Sequence, residues 1–167
     1  TGATAVYAMI PPNLTAPNFR AYQNSIADAM AEAVKAVGVK YVITLSSVGA
    51  HLTEKAGVVQ GLHDMEQKFN RISGLNVLHL RPSYFMENLF GQIGMIKGMG
   101  ITGSAVKGEL SFAMVATKDV AELATKRLLA PSFSGSSVQY LLGSRNVTLN
   151  EVTTTLGKAI SKPELTY

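Results

Sequence analysis

Two short runs, YVITLSS at 41–47 and NVLHLRP at 76–82, are apolar almost without interruption and rich in β-branched residues. A strand wetted on one face alternates apolar with polar side chains. A run without alternation is covered on both faces, as strands of a parallel sheet are when helices lie above and below them. Each run follows an amphipathic segment. Upstream of the first, Ile26, Ala29, Met30, Ala33, Val34 and Val37 recur at helical spacing, and Gly38 stands where a left-handed cap belongs; upstream of the second, residues 58–73 repeat the pattern and end at Gly74. This order predicts an α/β fold, a parallel sheet with flanking helices joined by right-handed crossovers.

The remaining segments fit the same grammar. AVYAMI at 5–10 has the length of one buried strand and is expected to run through Ile10 to Pro11-Pro12, since the residue before a proline is pushed towards extended geometry. The opening TGAT precedes that strand. A phosphate loop would instead follow a strand and open a helix, so TGAT reads as a turn. Downstream, residues 83–99 predict a short helix fraying at its glycines, Thr117 a cap for the helix 117–130, residues 138–143 a last strand, and Thr148 with Glu151 a capping box.

Composition bounds the chemistry. At 167 residues, 47% hydrophobic and 16% charged, the chain can bury a sizeable core. With no cysteine, thiolate catalysis and thiolate metal sites are excluded. No His, Asp and Glu stand at metal-ligand spacing, and neither GxSxG nor a defensible Ser-His-Asp order is present, so no metal is expected. The net charge of +4 is scattered rather than clustered, which suits phosphorylated ligands weakly and predicts no nucleic-acid partner. No basic apolar leader and no apolar run near ~18 residues stands in the sequence, so neither a membrane partner nor a location other than the cytoplasm is expected.

AVYAMIPPN, YVITLSSVGAH, GLHDMEQKFNRISGLNVLHLRPSYFMENLF, VATKDVAELATKRLL and LLGSRNVTLNEVTTTLGKAISKPELTY together resemble the NmrA-like group of atypical short-chain dehydrogenases, whose members are NAD(P)-binding and in part quinone-reductase-like. The resemblance implies that residues 1–167 correspond to the C-terminal part of a Rossmann-type domain. In this reading 1–115 supply sheet and crossover helices, and 116–167 supply a substrate-side region. It implies an NAD(P)H cofactor, bound weakly or not at all because no glycine-rich loop is present, with Ile10, Pro11, Pro12, Ser46, Ser47, Pro82, Ser83 and Tyr84 at its nicotinamide half. Tyr84, Phe85 and Met86 would face a small planar substrate such as a quinone. The superfamily's proton-transferring Tyr and Lys correspond here to Val58 and Leu62, neither of which transfers a proton. His63 is then the nearest titratable candidate for a catalytic proton donor, the alternative being a histidine simply solvated or hydrogen-bonded to its neighbours. His79 reads as a satisfied core group, and Arg81 either as an anion fork or as a partner of Glu87. Two functions stay open: an NAD(P)H-dependent oxidoreductase, and a non-catalytic dinucleotide-sensing or protein-interaction module. Finally, residues 3–10 carry neither charge nor proline, and without a neighbouring first strand they form an exposed edge. That predicts a homodimer through antiparallel pairing of residues 3–10.

Overall fold

The computed structural model describes residues 2–167, which fall into two compact units. The first runs to Pro82 and takes in Val120–Leu141; the second comprises Ser83–Asp119 and Leu142–Tyr167. Chain order suggested a boundary at residue 115. Packing divides the chain differently, because a late strand returns to the parallel sheet and brings most of its preceding helix with it.

The first unit is built on strands β1 (Ala5–Ala8), β2 (Tyr41–Leu45), β3 (Asn76–Pro82) and β6 (Ser136–Leu141), all parallel, in the order β1-β2-β3-β6. Pairing Val6 with Val42 and Val42 with Val77 sets Val6, Ala8, Val42, Thr44, Val77, His79 and Arg81 on one face. Helices α1 (Phe19–Val37) and α2 (Gln60–Asn70) supply Ala27, Val34, Met65 and Phe69 to the same core cluster. Asn18 caps α1 by accepting from the Ala21 N–H, and Gly38, at φ 70°, closes it by donating to Val34 O. Where the two helices meet, a Cβ on Gly61 would lie 2.1 Å from Gln23 Oε1, so only glycine permits the approach. Arg20 grips Asp64 with two hydrogen bonds of 2.7 and 2.8 Å, and that carboxyl is drawn down to about 2.

β1 ends at Ala8, two residues short of the expected Ile10. Its ladder to β2 stops with Ala8 opposite Thr44; the proline enforces extended backbone at Ile10, and extended backbone alone is not a ladder. β1 is also an edge of the sheet, as the sequence suggested. β6 begins at Ser136 rather than 138, because Gly135 O and Ser136 already meet Val77.

The second unit holds β4 (Tyr84–Phe85), parallel to β5 (Ser111–Val115), which is antiparallel to β7 (Asn146–Thr148), together with α3 (Ile93–Met99) and α5 (Leu149–Ala159). Residues 83–99 are not one helix. They form β4, a 3₁₀ stretch at Met86–Gln92 and the single short α3, as Gly91, Gly94 and Gly98 weaken a longer helix. Thr148 caps α5 by accepting from the Glu151 N–H at 3.1 Å. Helix α4 (Thr117–Leu129) starts at Thr117 itself, whose N–H and hydroxyl both donate to Glu87. Gly143 passes so near Met114 that a Cβ would lie 1.9 Å from the Met114 carbonyl oxygen. No helix among the described residues is long and apolar enough to cross a membrane.

Candidate functional site

In the first unit, the carboxyl ends of β1, β2 and β3 lie side by side and lead into the segments that carry Ile10, Pro11 and Pro12, then Ser46 and Ser47, then Pro82. In open α/β sheets this edge is where ligands bind. Ile10 is buried while both prolines are exposed, and the Pro11 carbonyl accepts from Tyr22 OH on α1 at 3.0 Å. The β2–β3 ladder continues past the strand proper: the Ser46 N–H donates to Leu80 O at 2.8 Å and the Val48 N–H to Pro82 O at 3.0 Å. The structure thus brings the predicted Ser46, Ser47 and Pro82 to one edge.

The two serines differ. Ser46 is buried, and its hydroxyl, expected to face a ligand, donates inward to Glu66 Oε1 at 2.5 Å. Ser47 is half-buried, and its hydroxyl makes no hydrogen bond among the described residues. Glu66, 2% exposed, also receives Arg81 Nε at 2.9 Å on Oε1 and Arg81 Nη2 at 2.5 Å on Oε2, a bidentate pair inside the unit. Arg81 Nη1 donates to Tyr140 OH at 2.9 Å on β6, and its guanidinium lies 5.6 Å from that ring's centre. Hydrogen bonds to Glu66 hold the guanidinium charged well above its ordinary range. Arg81 is therefore neither an open anion fork nor a partner of Glu87, which is occupied with Thr117. The sequence did carry a signal for the true partner: Glu66 lies on the otherwise apolar face of α2 formed by Leu62, Met65 and Phe69, and Arg81 interrupts an apolar strand. Two opposite charges on elements that both face inward must find each other.

A second polar set lies on the same sheet face. His79 is almost wholly buried; its Nε2–H donates to Asn70 Oδ1 at 2.8 Å, and its Nδ1 accepts from the Thr44 hydroxyl at 2.7 Å. Asn70 Oδ1, which also takes the Ser136 hydroxyl, can only accept, and this fixes the tautomer. Burial pushes His79 down to about 4, so it is neutral at physiological pH, the satisfied core group its sequence context suggested. His63, the expected proton donor, is half-buried on α2. Its Nδ1 lies 2.8 Å from the Ala50 carbonyl oxygen, which can only accept, so Nδ1 carries the hydrogen.

In the second unit, Ser83 Oγ is buried with no hydrogen-bond partner among the described residues. The Tyr84 ring packs against Phe112, with centres 5.4 Å apart, and burial raises its phenol, with Tyr167 adding to the effect. Tyr84, Thr102, Thr153, Leu156 and Tyr167 line a cavity of about 10 Å³, room for one water. Phe85 is half-buried, whereas Met86 is exposed, and so are Phe90 and Ile93 beyond it. Sequence reasoning stopped at Met86 and missed that this apolar exposure continues along the 3₁₀ stretch. Among the described residues no group of His, Asp and Glu could hold a metal ion.

Among the solved structures that share this fold are enzymes complexed with NADPH, NADP(H) or NAD. Over 99% of its length the chain superposes, at 22% identity and a TM-score of 0.81, on the NADPH-dependent quinone oxidoreductase QOR2 of Escherichia coli complexed with NADPH. The Citrobacter sp. triphenylmethane reductase complexed with NADP(H) matches 96% of the chain at 14% identity and a TM-score of 0.69. The UDP-glucuronic acid 4-epimerase of Bacillus cereus in complex with NAD matches 95% at 15% identity and a TM-score of 0.69. This chain spans only 55%, 54% and 60% of those three chains, respectively. No protein-family profile and no curated protein sequence matches it. The fold is α/β, a parallel sheet flanked by helices that matches part of a Rossmann-type domain.

Proposed function

We propose that this chain is an NAD(P)H-dependent oxidoreductase-like protein of the NmrA-like, atypical short-chain dehydrogenase type, whose acceptor would be a small planar molecule such as a quinone. The observation that carries this reading is the superposition of nearly the whole chain on an NADPH-bound quinone oxidoreductase. The geometry supports it in two places. The Ser47 hydroxyl stands unengaged at the carboxyl edge of the sheet, beside the rigid exit at Pro11-Pro12 and the end of β3 at Pro82. Ser83 has a buried hydroxyl without a partner, of the kind a ligand's polar atom would satisfy. The reduced nicotinamide would supply the hydride. In the first unit, Ile10, Pro11, Pro12, Ser47 and Pro82 would bind and orient it; in the second unit, Ser83 would offer a hydroxyl and Tyr84, Phe85 and Met86 a flat and polarisable surface. The side chain of Ser46 does not fit such a role, being committed to Glu66.

One observation favours the non-catalytic reading, a dinucleotide-sensing or protein-interaction module. Val58 and Leu62 hold the positions of the superfamily's Tyr and Lys, Val58 exposed and Leu62 packed against the core. Calorimetric titration with NADPH and NADH, beside absorbance-monitored oxidation of NADPH with a quinone panel, tests both readings. Millimolar NADPH binding with quinone-dependent oxidation supports the oxidoreductase; binding without turnover under any acceptor supports the sensor. No binding at millimolar concentration ends the cofactor reading for this chain.

A further inference from the structure

The segment that follows β2 is tied down at both ends by one helix. At its start the Ser46 hydroxyl donates to Glu66 Oε1 at 2.5 Å; at its end the buried Ala50 accepts from His63 Nδ1 at 2.8 Å. Glu66 and His63 are three residues apart on α2, hence on the same side of it. Between the two ties the backbone turns through Gly49 at φ 87°, and the Ala50 N–H donates back to Ser47 O at 3.2 Å. The Val48 N–H is spent on Pro82 O. Of the two serine hydroxyls in this five-residue turn, that of Ser46 is committed to Glu66 and that of Ser47 makes no hydrogen bond among the described residues, at the edge where the sheet's loops gather.

We propose that His63 is a positioning residue: through the Ala50 carbonyl it fixes the turn Ser46–Ala50, so that Ser47 is held ready for its ligand. The ligand's identity as a nicotinamide nucleotide rests on the function proposed above; the fixing of the turn does not. This differs from a proton-donor role, because the ring hydrogen fixed by the geometry points at a backbone carbonyl inside the unit. It also differs from general stabilisation. His63 is half-buried and its ring makes this one hydrogen bond among the described residues, so its loss should loosen the turn far more than the fold.

The test compares the unmodified chain with His63→Leu and His63→Asn, the asparagine amide offering an N–H near the place of Nδ1. Hydrogen exchange of peptides covering residues 46–52 reads the turn, urea unfolding reads the whole fold, and NADPH titration reads the ligand. The proposal expects exchange in the turn about tenfold faster in His63→Leu with the urea midpoint nearly unchanged. NADPH affinity should fall about fivefold, and His63→Asn should restore both. Exchange in His63→Leu equal to that of the unmodified chain, or a His63→Asn variant as loose as His63→Leu, overturns it. If the unmodified chain binds no NADPH, it is the cofactor reading that falls, and the exchange comparison still decides the positioning role.

Discussion

Removing Glu66 tests the buried ion pair most directly. In Glu66→Met the guanidinium of Arg81, a residue 8% exposed, keeps its charge but loses both carboxylate oxygens, retaining Tyr140 OH as its one partner among the described residues, and the Ser46 hydroxyl loses its acceptor. Breaking a buried pair from one side costs about 3–5 kcal/mol, because the surviving charge is neither solvated nor paired. Against a total stability of about 5–15 kcal/mol the variant should still fold. Its melting temperature should drop by roughly 6–20 °C, at about 2–4 °C per kcal/mol for a chain of this size. The triple variant Ser46→Ala, Glu66→Met, Arg81→Leu removes every polar member that would be stranded and should lie within about 1 kcal/mol of the unmodified protein. Urea unfolding followed by far-UV circular dichroism measures both. A single variant costing less than about 1 kcal/mol would refute the reasoning, as would a triple variant no more stable than the single, since uncompensated burial would then not be the dominant effect.

The buried His79 predicts a pH dependence. Its folded value, near 4, lies below the ordinary 6.5, so the unfolded chain takes up the proton first. Stability from this group is complete above about 6.5 and is lost as pH falls towards 4, by about 3 kcal/mol in all; His79→Gln should flatten that stretch of a denaturation series, and an unchanged slope would count against the assignment. Gly143→Ala should cost about 1–3 kcal/mol because its Cβ meets the Met114 carbonyl, which cannot swing away; limited proteolysis within 83–119 and 142–167 would report it, and a variant as resistant as the unmodified chain would argue against so close a passage. The uncharged edge at β1 leads us to expect a homodimer paired through residues 3–10; light scattering should find a dimer for the unmodified chain and a monomer for Tyr7→Lys, whereas a stable monomer at high concentration would show that the edge needs no partner.

The sequence made visible what depends on local pattern and hid what depends on distant partners. The runs at 41–47 and 76–82 read as buried parallel strands because burial on both faces removes alternation, and that pattern is intrinsic to each run. Gly38 read as a cap for the same reason, since a left-handed residue after a helix is a local demand. Ser46 and Ser47 are adjacent and chemically identical, so nothing local distinguishes the one turned towards Glu66 from the one left unengaged; twenty residues separate Ser46 from its acceptor. Arg81 was offered Glu87 as a neighbour in sequence, yet the partner lies across the sheet–helix contact, on α2. The grouping of residues 120–141 with the sheet was hidden too, because only the pairing of β6 with β3 decides it.

The spacing along α2 sets how the chain can tolerate change in length. His63, Glu66 and Asn70 reach the Ala50 carbonyl, the Ser46–Arg81 pair and His79 from positions three and four apart, so one helical surface carries all three attachments. Inserting or deleting a single residue between Gly61 and Asn70 turns everything beyond it by about 100° and pulls the attachments out of alignment together. The exposed stretch of residues 51–55, ahead of that helix, receives from α2 only the long bond of Gln60 Nε2 to Thr53 O at 3.5 Å among the described residues, and can lengthen at little cost. Among diverging copies of this sequence, insertions should therefore collect before residue 57, while the intervals 63–66–70 and 79–81 keep their lengths even where the residues around them are exchanged.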